Sequence, residues 1–129
     1  MIAAVETIDG VMLVDVEAEE LLGEGTELPE VDAPRVELPR VVATARAGAT
    51  IVAIVERRPP LALSRDNGAT WSEAGGGLPA GFAVAVAEDD PDRMLYAARN
   101  RLYVSRNGGV FWSSLPFELP DIVAVAWID

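Results

Sequence analysis

Short apolar stretches and turn-forming residues alternate along the whole chain. The apolar stretches are rich in Val, Ile, Leu and Ala, and clusters of glycine, proline, Asp and Asn separate them. No stretch keeps the helical period for more than about two turns, and residues 18–22 come nearest to it. The pattern therefore predicts an all-β fold.

One stretch recurs at a fixed distance. Residues 64–71 read Ser-Arg-Asp-Asn-Gly-Ala-Thr-Trp, and residues 105–112, 41 positions later, read Ser-Arg-Asn-Gly-Gly-Val-Phe-Trp. The flanks keep the spacing, because Leu-Pro closes both copies at 78–79 and 119–120. A period of ~40–45 residues with four short strands per unit is typical of a β-propeller blade.

The repeat divides residues 1–129 into three blades, with strands A (inner) to D (outer). Blade one comprises about residues 1–39 plus a C-terminal strand at 122–127, blade two about 40–79, and blade three about 80–120. The predicted strands of blades two and three, in the order A to D, are 41–45, 50–55, 61–64 and 70–74, then 82–87, 94–98, 101–105 and 111–115. For blade one we predict B at 2–7, C at 11–14, D near 35–38, and A at 122–127.

Three blades are fewer than the ~4–8 of a closed propeller. We expect the two ends of a half ring to lie on opposite sides, so that residues 122–127 pair with residues 2–14 of a second copy. The prediction is a strand-exchanged homodimer with six blades, closed by a two-fold axis. A trimer with nine blades and a fragment of a larger propeller are the alternatives.

The motif at 64–71 resembles the Asp-box, or bacterial neuraminidase repeat, of sialidases, sortilin-type receptors, some xyloglucan hydrolases and photosystem-assembly-factor propellers. This copy matches completely, whereas the copy at 105–112 has Asn and Phe in place of Asp and Thr. The chemistry of these residues predicts a structural role: glycine for positive φ, Asp or Asn for turn hydrogen bonds, and tryptophan for packing between blades. The structural set comprises Ser64, Asp66, Gly68, Thr70, Trp71, Ser105, Asn107, Gly109 and Trp112.

Composition narrows the chemistry. The chain has no cysteine, histidine or lysine, which removes disulfides, thiolate metal sites, the commonest general base and Schiff-base catalysis. The formal net charge of −11 disfavours nucleic acid and anionic membranes as partners. The first ten residues lack a basic region, and no apolar run reaches ~20 residues. We therefore expect a soluble cytoplasmic protein with no metal or cofactor.

Three other groups are candidates for chemistry. The acids Asp89, Asp90 and Asp92 suit Ca²⁺ binding or glycoside hydrolysis, but a solvated loop is the better interpretation. Tyr96 and Tyr103 lie in predicted strands and are interpreted as packing residues. Residues 17–37 hold many acids and are interpreted as a flexible insertion, with docking of a basic protein as the alternative.

Arginines gather at one end of the predicted blades. Up-and-down connectivity places B–C and D–A connections on one surface, the BC face, and A–B and C–D turns on the opposite surface, the AB face. The arginines expected on the BC face are Arg40, Arg57, Arg58, Arg99 and Arg101. Guanidinium groups suit carboxylate and phosphate ligands, although pairing with acids such as Glu56 would occupy them. We interpret the protein as a non-enzymatic binding or scaffold module whose BC face takes a protein or small anionic ligand. The alternative is a glycan-binding or glycoside-hydrolysing propeller.

Overall fold

Twelve short strands make up the regular structure of residues 1–128, which are the residues that the computed structural model describes. No helix occurs among them, so none has the length and hydropathy to cross a bilayer. The strands are β1 (Ile2–Thr7), β2 (Gly10–Asp15), β3 (Glu20–Glu24), β4 (Val41–Ala47), β5 (Thr50–Val55), β6 (Leu61–Ser64), β7 (Ser72–Ala74), β8 (Ala83–Val86), β9 (Met94–Ala97), β10 (Leu102–Ser105), β11 (Ser113–Ser114) and β12 (Ile122–Trp127).

The strands form three antiparallel four-stranded sheets, as the repeat predicted. Blade two has the order β4-β5-β6-β7, blade three β8-β9-β10-β11, and blade one β12-β1-β2-β3. The inner strand β8 contacts both β4 and β12, so blade three lies between the other two. Within residues 1–128 no strand of blade one contacts a strand of blade two. The fold is thus an open fan of three propeller blades.

Two apolar cores join the blades. Leu95, Leu102 and Val104 of blade three pack with Val5 and Val125 of blade one in the first core. The opposite side of blade three packs against blade two, and Tyr96 and Met94 meet Val52 and Ile54 there. Alternate residues of β9 therefore serve different neighbours, which explains why the whole strand is buried and apolar.

The C-terminal strand completes blade one within the same chain. β12 pairs antiparallel with β1, with Val125 opposite Val5 and Ala124 opposite Glu6. Our premise that the two ends of one chain lie too far apart to meet is wrong, because blade three carries the chain back to the side of blade one. A homodimer with six blades stays a prediction, but residues 122–127 already pair with residues 2–7 of their own chain, so a dimer through these segments would require the copies to exchange β12.

The outer strand of blade one is β3, and the prediction of a D strand near 35–38 is wrong. Asp15 accepts backbone hydrogen bonds from Glu17 and Ala18, each at 3.1 Å, and Glu19 adopts a positive φ of 56°. The tight turn returns the chain at once, so that Glu20 pairs with Asp15. Residues 17–37 are therefore not one flexible insertion, since part of them is a strand.

The crossing segment, residues 25–40, connects blade one to blade two and is bonded to the inner strand β4 along its free edge. Its Asp32 carbonyl accepts a hydrogen bond from the Arg46 amide at 3.1 Å, and its Pro34 carbonyl accepts one from the Thr44 hydroxyl at 2.7 Å. Ile51, Ala53 and Val55 point to the outer side of blade two, because Val52 and Ile54 point towards blade three. All three are buried although no other sheet packs on them within residues 1–128.

Candidate functional site

The motif at 64–71 forms a closed network of turn hydrogen bonds. The Ser64 hydroxyl donates to Asp66 Oδ1 at 2.8 Å and accepts from the Gly68 amide at 2.8 Å. Thr70 donates its amide to Asp66 Oδ1 at 2.9 Å and its hydroxyl to Asp66 Oδ2 at 2.6 Å. Hydrogen bonds from the Thr70 side chain and backbone, and then from Ser64, lower the pKa of Asp66 to about 2. The side chains of Ser64, Asp66 and Thr70 therefore bond to one another and stabilise the turn.

The copy in blade three keeps the network with fewer hydrogen bonds. The Ser105 hydroxyl donates to Asn107 Oδ1 at 3.1 Å and accepts from the Gly109 amide at 2.9 Å, and the Phe111 amide donates to Asn107 Oδ1 at 3.0 Å. Phe111 has no hydroxyl, so the side-chain bond made by Thr70 has no counterpart. In both copies the turn extends through the tryptophan. β7 therefore begins at Ser72 and β11 at Ser113, each two residues later than we predicted.

The two motif tryptophans differ in their surroundings. Trp112 packs against the core between blades two and three, with its ring centroid 5.9 Å from that of Tyr96 in an edge-on arrangement. Its indole N–H donates to the Gly109 carbonyl at 3.0 Å. Trp71 belongs to neither core and lies near Gly68 on the outer side of blade two. Packing between two blades, expected for both, therefore applies to Trp112.

Arginines inside the repeated motif connect each blade to the next, a role that our sequence analysis missed. Arg65 Nη2 donates to the Gly108 carbonyl of blade three at 3.2 Å. Arg106 Nη2 lies 3.5 Å from the Val16 carbonyl of blade one, and its Nε lies 3.6 Å from Glu17. The signal was present, since arginine follows serine in both copies of the motif.

The expected separation of charge between the two faces is incomplete. Four arginines lie at the AB end of the blades and pair with its acids: Arg46 with Asp32, Arg65 with Asp92, Arg93 with Glu17 and Asp90, and Arg106 with Glu17. Asp90 and Asp92, in the loop between β8 and β9, thus take part in ion pairs, whereas Asp89 does not within residues 1–128. Among the described residues, no group of His, Cys, Asp and Glu has an arrangement that could hold a metal ion.

Both tyrosines are packing residues in blade three. Tyr96 is fully buried, and its hydroxyl donates to the Pro79 carbonyl at 2.5 Å. Burial and the neighbouring Tyr103 raise the pKa of Tyr96 to about 12, against the opposing influence of Arg58. The two rings meet edge-on with centroids 6.2 Å apart.

The five arginines assigned to the BC face fall into two groups. Arg99 Nε lies 3.2 Å from Asp121 Oδ2, and Arg101 Nη2 lies 3.1 Å from Glu118 Oε1. Neighbouring acids therefore occupy these two guanidinium groups. The other three arginines, Arg40, Arg57 and Arg58, form no ion pair within residues 1–128, and the pairing with Glu56 that we considered is not formed there.

These three arginines line the BC grooves, two adjoining cavities of about 310 and 210 Å³. Arg57 lines both cavities, Arg58 the larger and Arg40 the smaller. The larger cavity has apolar walls from Val42, Pro60 and Leu78, and the smaller one from Leu38 and Pro39, while Val55 and Glu56 are common to both. The backbone of Arg40 is bonded to the residue that follows β5, since the Arg40 carbonyl accepts a hydrogen bond from the Glu56 amide at 3.1 Å.

A third cavity of about 400 Å³, the channel groove, lies where the three inner strands converge. Residues of β4, β8 and β12 form it together with residues 30–32 of the crossing segment. Its lining comprises Glu30, Val31, Asp32, Ala45, Arg46, Val84, Ala85, Val86, Glu88, Asp89, Trp127 and Ile128.

Comparison with known proteins supports the propeller architecture. The chain matches no protein-family model, and no curated protein matches it. Among solved structures, it is similar to a Niastella koreensis GH74 enzyme with a TM-score of 0.53 and 21% identity. The match covers 94% of this chain and 18% of the enzyme, so the chain spans under a fifth of that protein's length. At this identity the likeness shows the fold alone: an all-β, propeller-like assembly of three blades.

Proposed function

We propose that this propeller module is a non-enzymatic binding module that takes an anionic ligand in the BC grooves. The observation that supports this best is the set of three arginines around one continuous lining, with no ion pair within residues 1–128. The other seven arginines of the chain each lie beside a carboxylate, as Arg99 and Arg101 do. Three that do not, beside apolar walls, form a surface suited to an anion.

The lining restricts the chemistry of the ligand. Guanidinium groups bind carboxylate and phosphate through paired N–H donors, which gives direction as well as charge. Val42, Val55 and Leu78 offer apolar surface beside these donors. Glu56 lies in both cavities and repels a highly charged anion. We therefore propose a carboxylate or phosphate monoester attached to an apolar body.

The proposal is tested with phenyl phosphate and phenylacetate, followed by amide chemical shifts of the labelled protein. We expect saturable shifts at residues 38–42 and 55–58. The double variant Arg57→Gln/Arg58→Gln should bind about tenfold more weakly, because charge-assisted hydrogen bonds are lost.

The matched control is Arg99→Gln/Arg101→Gln, which changes the net charge equally at ion-paired positions on the same face. We expect it to bind like the unaltered protein. Absence of saturable shifts, or equal weakening in both double variants, would exclude the BC grooves as the site.

A glycan-active or glycan-binding propeller is the second candidate. Its support is the GH74 enzyme among the similar structures, together with Trp127 and the carboxylate of Asp89 in the channel groove. The carboxylate of Asp90 is less available to a ligand, because it pairs with Arg93 Nε at 3.4 Å. A panel of glycosides tests this candidate: turnover that Asp89→Asn abolishes would support hydrolysis, whereas no turnover and no glycan binding would rule the candidate out.

A further inference from the structure

The channel groove has an uneven distribution of charge. Asp32 and Arg46 in its lining neutralise each other, with Arg46 Nε 2.9 Å from Asp32 Oδ2. Arg46 Nη1 also donates to Asn67 Oδ1 at 2.8 Å, so this guanidinium group is held on two sides. The three remaining acids of the lining, Glu30, Glu88 and Asp89, form no ion pair within residues 1–128.

The lining of the groove combines acids with apolar residues. Val84 and Val86 of β8 and Ala45 of β4 line the groove and are largely buried, whereas Glu88 and Asp89 follow the end of β8 and are exposed. Trp127 of β12 is half-buried and forms part of the wall. Apolar and aromatic surface beside unpaired carboxylates suits a cation with an apolar body, since an ammonium group is attracted both to carboxylates and to an indole face.

We propose that the channel groove binds a small organic cation, namely a primary ammonium or guanidinium group attached to an apolar body. The volume of about 400 Å³ is at the lower end of the range for small-molecule sites, which favours a compact ligand. The site differs from the BC grooves in position and in the sign of its charge. Its ligand class is therefore independent of the proposed function.

The crossing segment contributes directly to this site. Glu30 and Asp32 reach the groove because the Asp32 carbonyl is bonded to the Arg46 amide beside it. Residues from three inner strands and one connection, which are far apart in the sequence, thus form one pocket. The sequence pattern alone does not indicate it. The groove exists only when blades two, three and one are assembled.

The test uses phenethylammonium as the probe, with 2-phenylethanol as a neutral probe of similar shape and cellobiose as a neutral glycan. Amide shifts and tryptophan fluorescence follow each titration of the full chain. We expect phenethylammonium to give saturable shifts at residues 45–46, 84–89 and 127, and to bind more weakly as salt increases.

The decisive comparison is between two double variants of equal charge change. Glu88→Gln/Asp89→Asn removes two acids of the groove, and we expect its dissociation constant for phenethylammonium to rise about three- to tenfold. Glu19→Gln/Glu20→Gln removes two exposed acids outside the lining and should leave that constant unchanged.

Three results would overturn the proposal. The first is the absence of saturable shifts at the groove, and the second is equal weakening in both double variants, which would indicate attraction to the overall negative charge. The third is tighter binding of 2-phenylethanol or cellobiose than of phenethylammonium, which would assign the groove to neutral ligands.

Discussion

Serine and aspartate side chains at the C–D turns stabilise the backbone of the turn and are not free to bind a ligand. The hydroxyl of Ser64 and both carboxylate oxygens of Asp66 are used inside their own turn, and Ser105 and Asn107 repeat the arrangement. The arginines between them then reach across to the next blade. The motif therefore combines a local turn with a contact between blades.

The two motif tryptophans should differ in their contribution to stability. We expect Trp112→Ala to lower the free energy of unfolding by about 3 kcal/mol, since it removes core packing and the edge-on contact with Tyr96. Trp71→Ala should cost about 1 kcal/mol, because Trp71 lies outside both cores. Urea denaturation measures both, and a larger cost for Trp71 would contradict the assignment.

Asp66 should make stability depend on pH at the acidic end. Its pKa is lowered from 3.8 to about 2 in the folded chain, so the folded state prefers the ionised form. The stabilisation is fully present above about pH 4 and disappears as the pH falls towards 2. We expect Asp66→Asn to reduce this dependence when unfolding is measured between pH 5 and 2. An equally steep dependence in that variant would show that other groups cause it.

Among the strands, those with buried apolar runs were predictable from their own residues, whereas the short exposed strands β7 and β11 were predictable only from the repeat and β3 was not predictable. β9 and β10 follow from Val, Leu and aromatic content beside clear turn residues, whereas β3 reads Glu-Leu-Leu-Gly-Glu and is exposed throughout. Its hairpin also depends on a positive φ at Glu19, a residue type that gives no turn signal. Backbone pairing with β2, rather than side-chain burial, defines this strand.

Removal of β12 should prevent the chain from folding as a soluble species. Truncation after Pro120 takes Ile122 and Val125 from the core and leaves an open edge on β1. We expect aggregates by light scattering and loss of the cooperative thermal transition. Val123→Ser, at an exposed position of the same strand, is the control and should behave like the full protein. A soluble, cooperative truncated protein would contradict the role of β12.

At the level of the whole molecule, the repeat predicted the number of sheets and their strands, but not their arrangement. Blade order depends on how residues 25–40 cross from β3 to β4, and that segment has no regular pattern. The candidate sites were only partly predictable for a similar reason. The sequence placed five arginines on one face, but only the fold shows that Asp121 and Glu118 lie beside two of them.

The central claim is that β12 pairs with β1 of its own chain. Glu6 and Ala124 lie opposite each other in that pair, and the chain has no cysteine, so Glu6→Cys/Ala124→Cys introduces two neighbouring thiols with no competitor. After mild oxidation, we expect an internal disulfide and a single species of about 13.7 kDa in a non-reducing denaturing gel or by mass spectrometry. A disulfide-linked dimer of twice that mass would show that the final strand pairs with a second copy and would contradict the account.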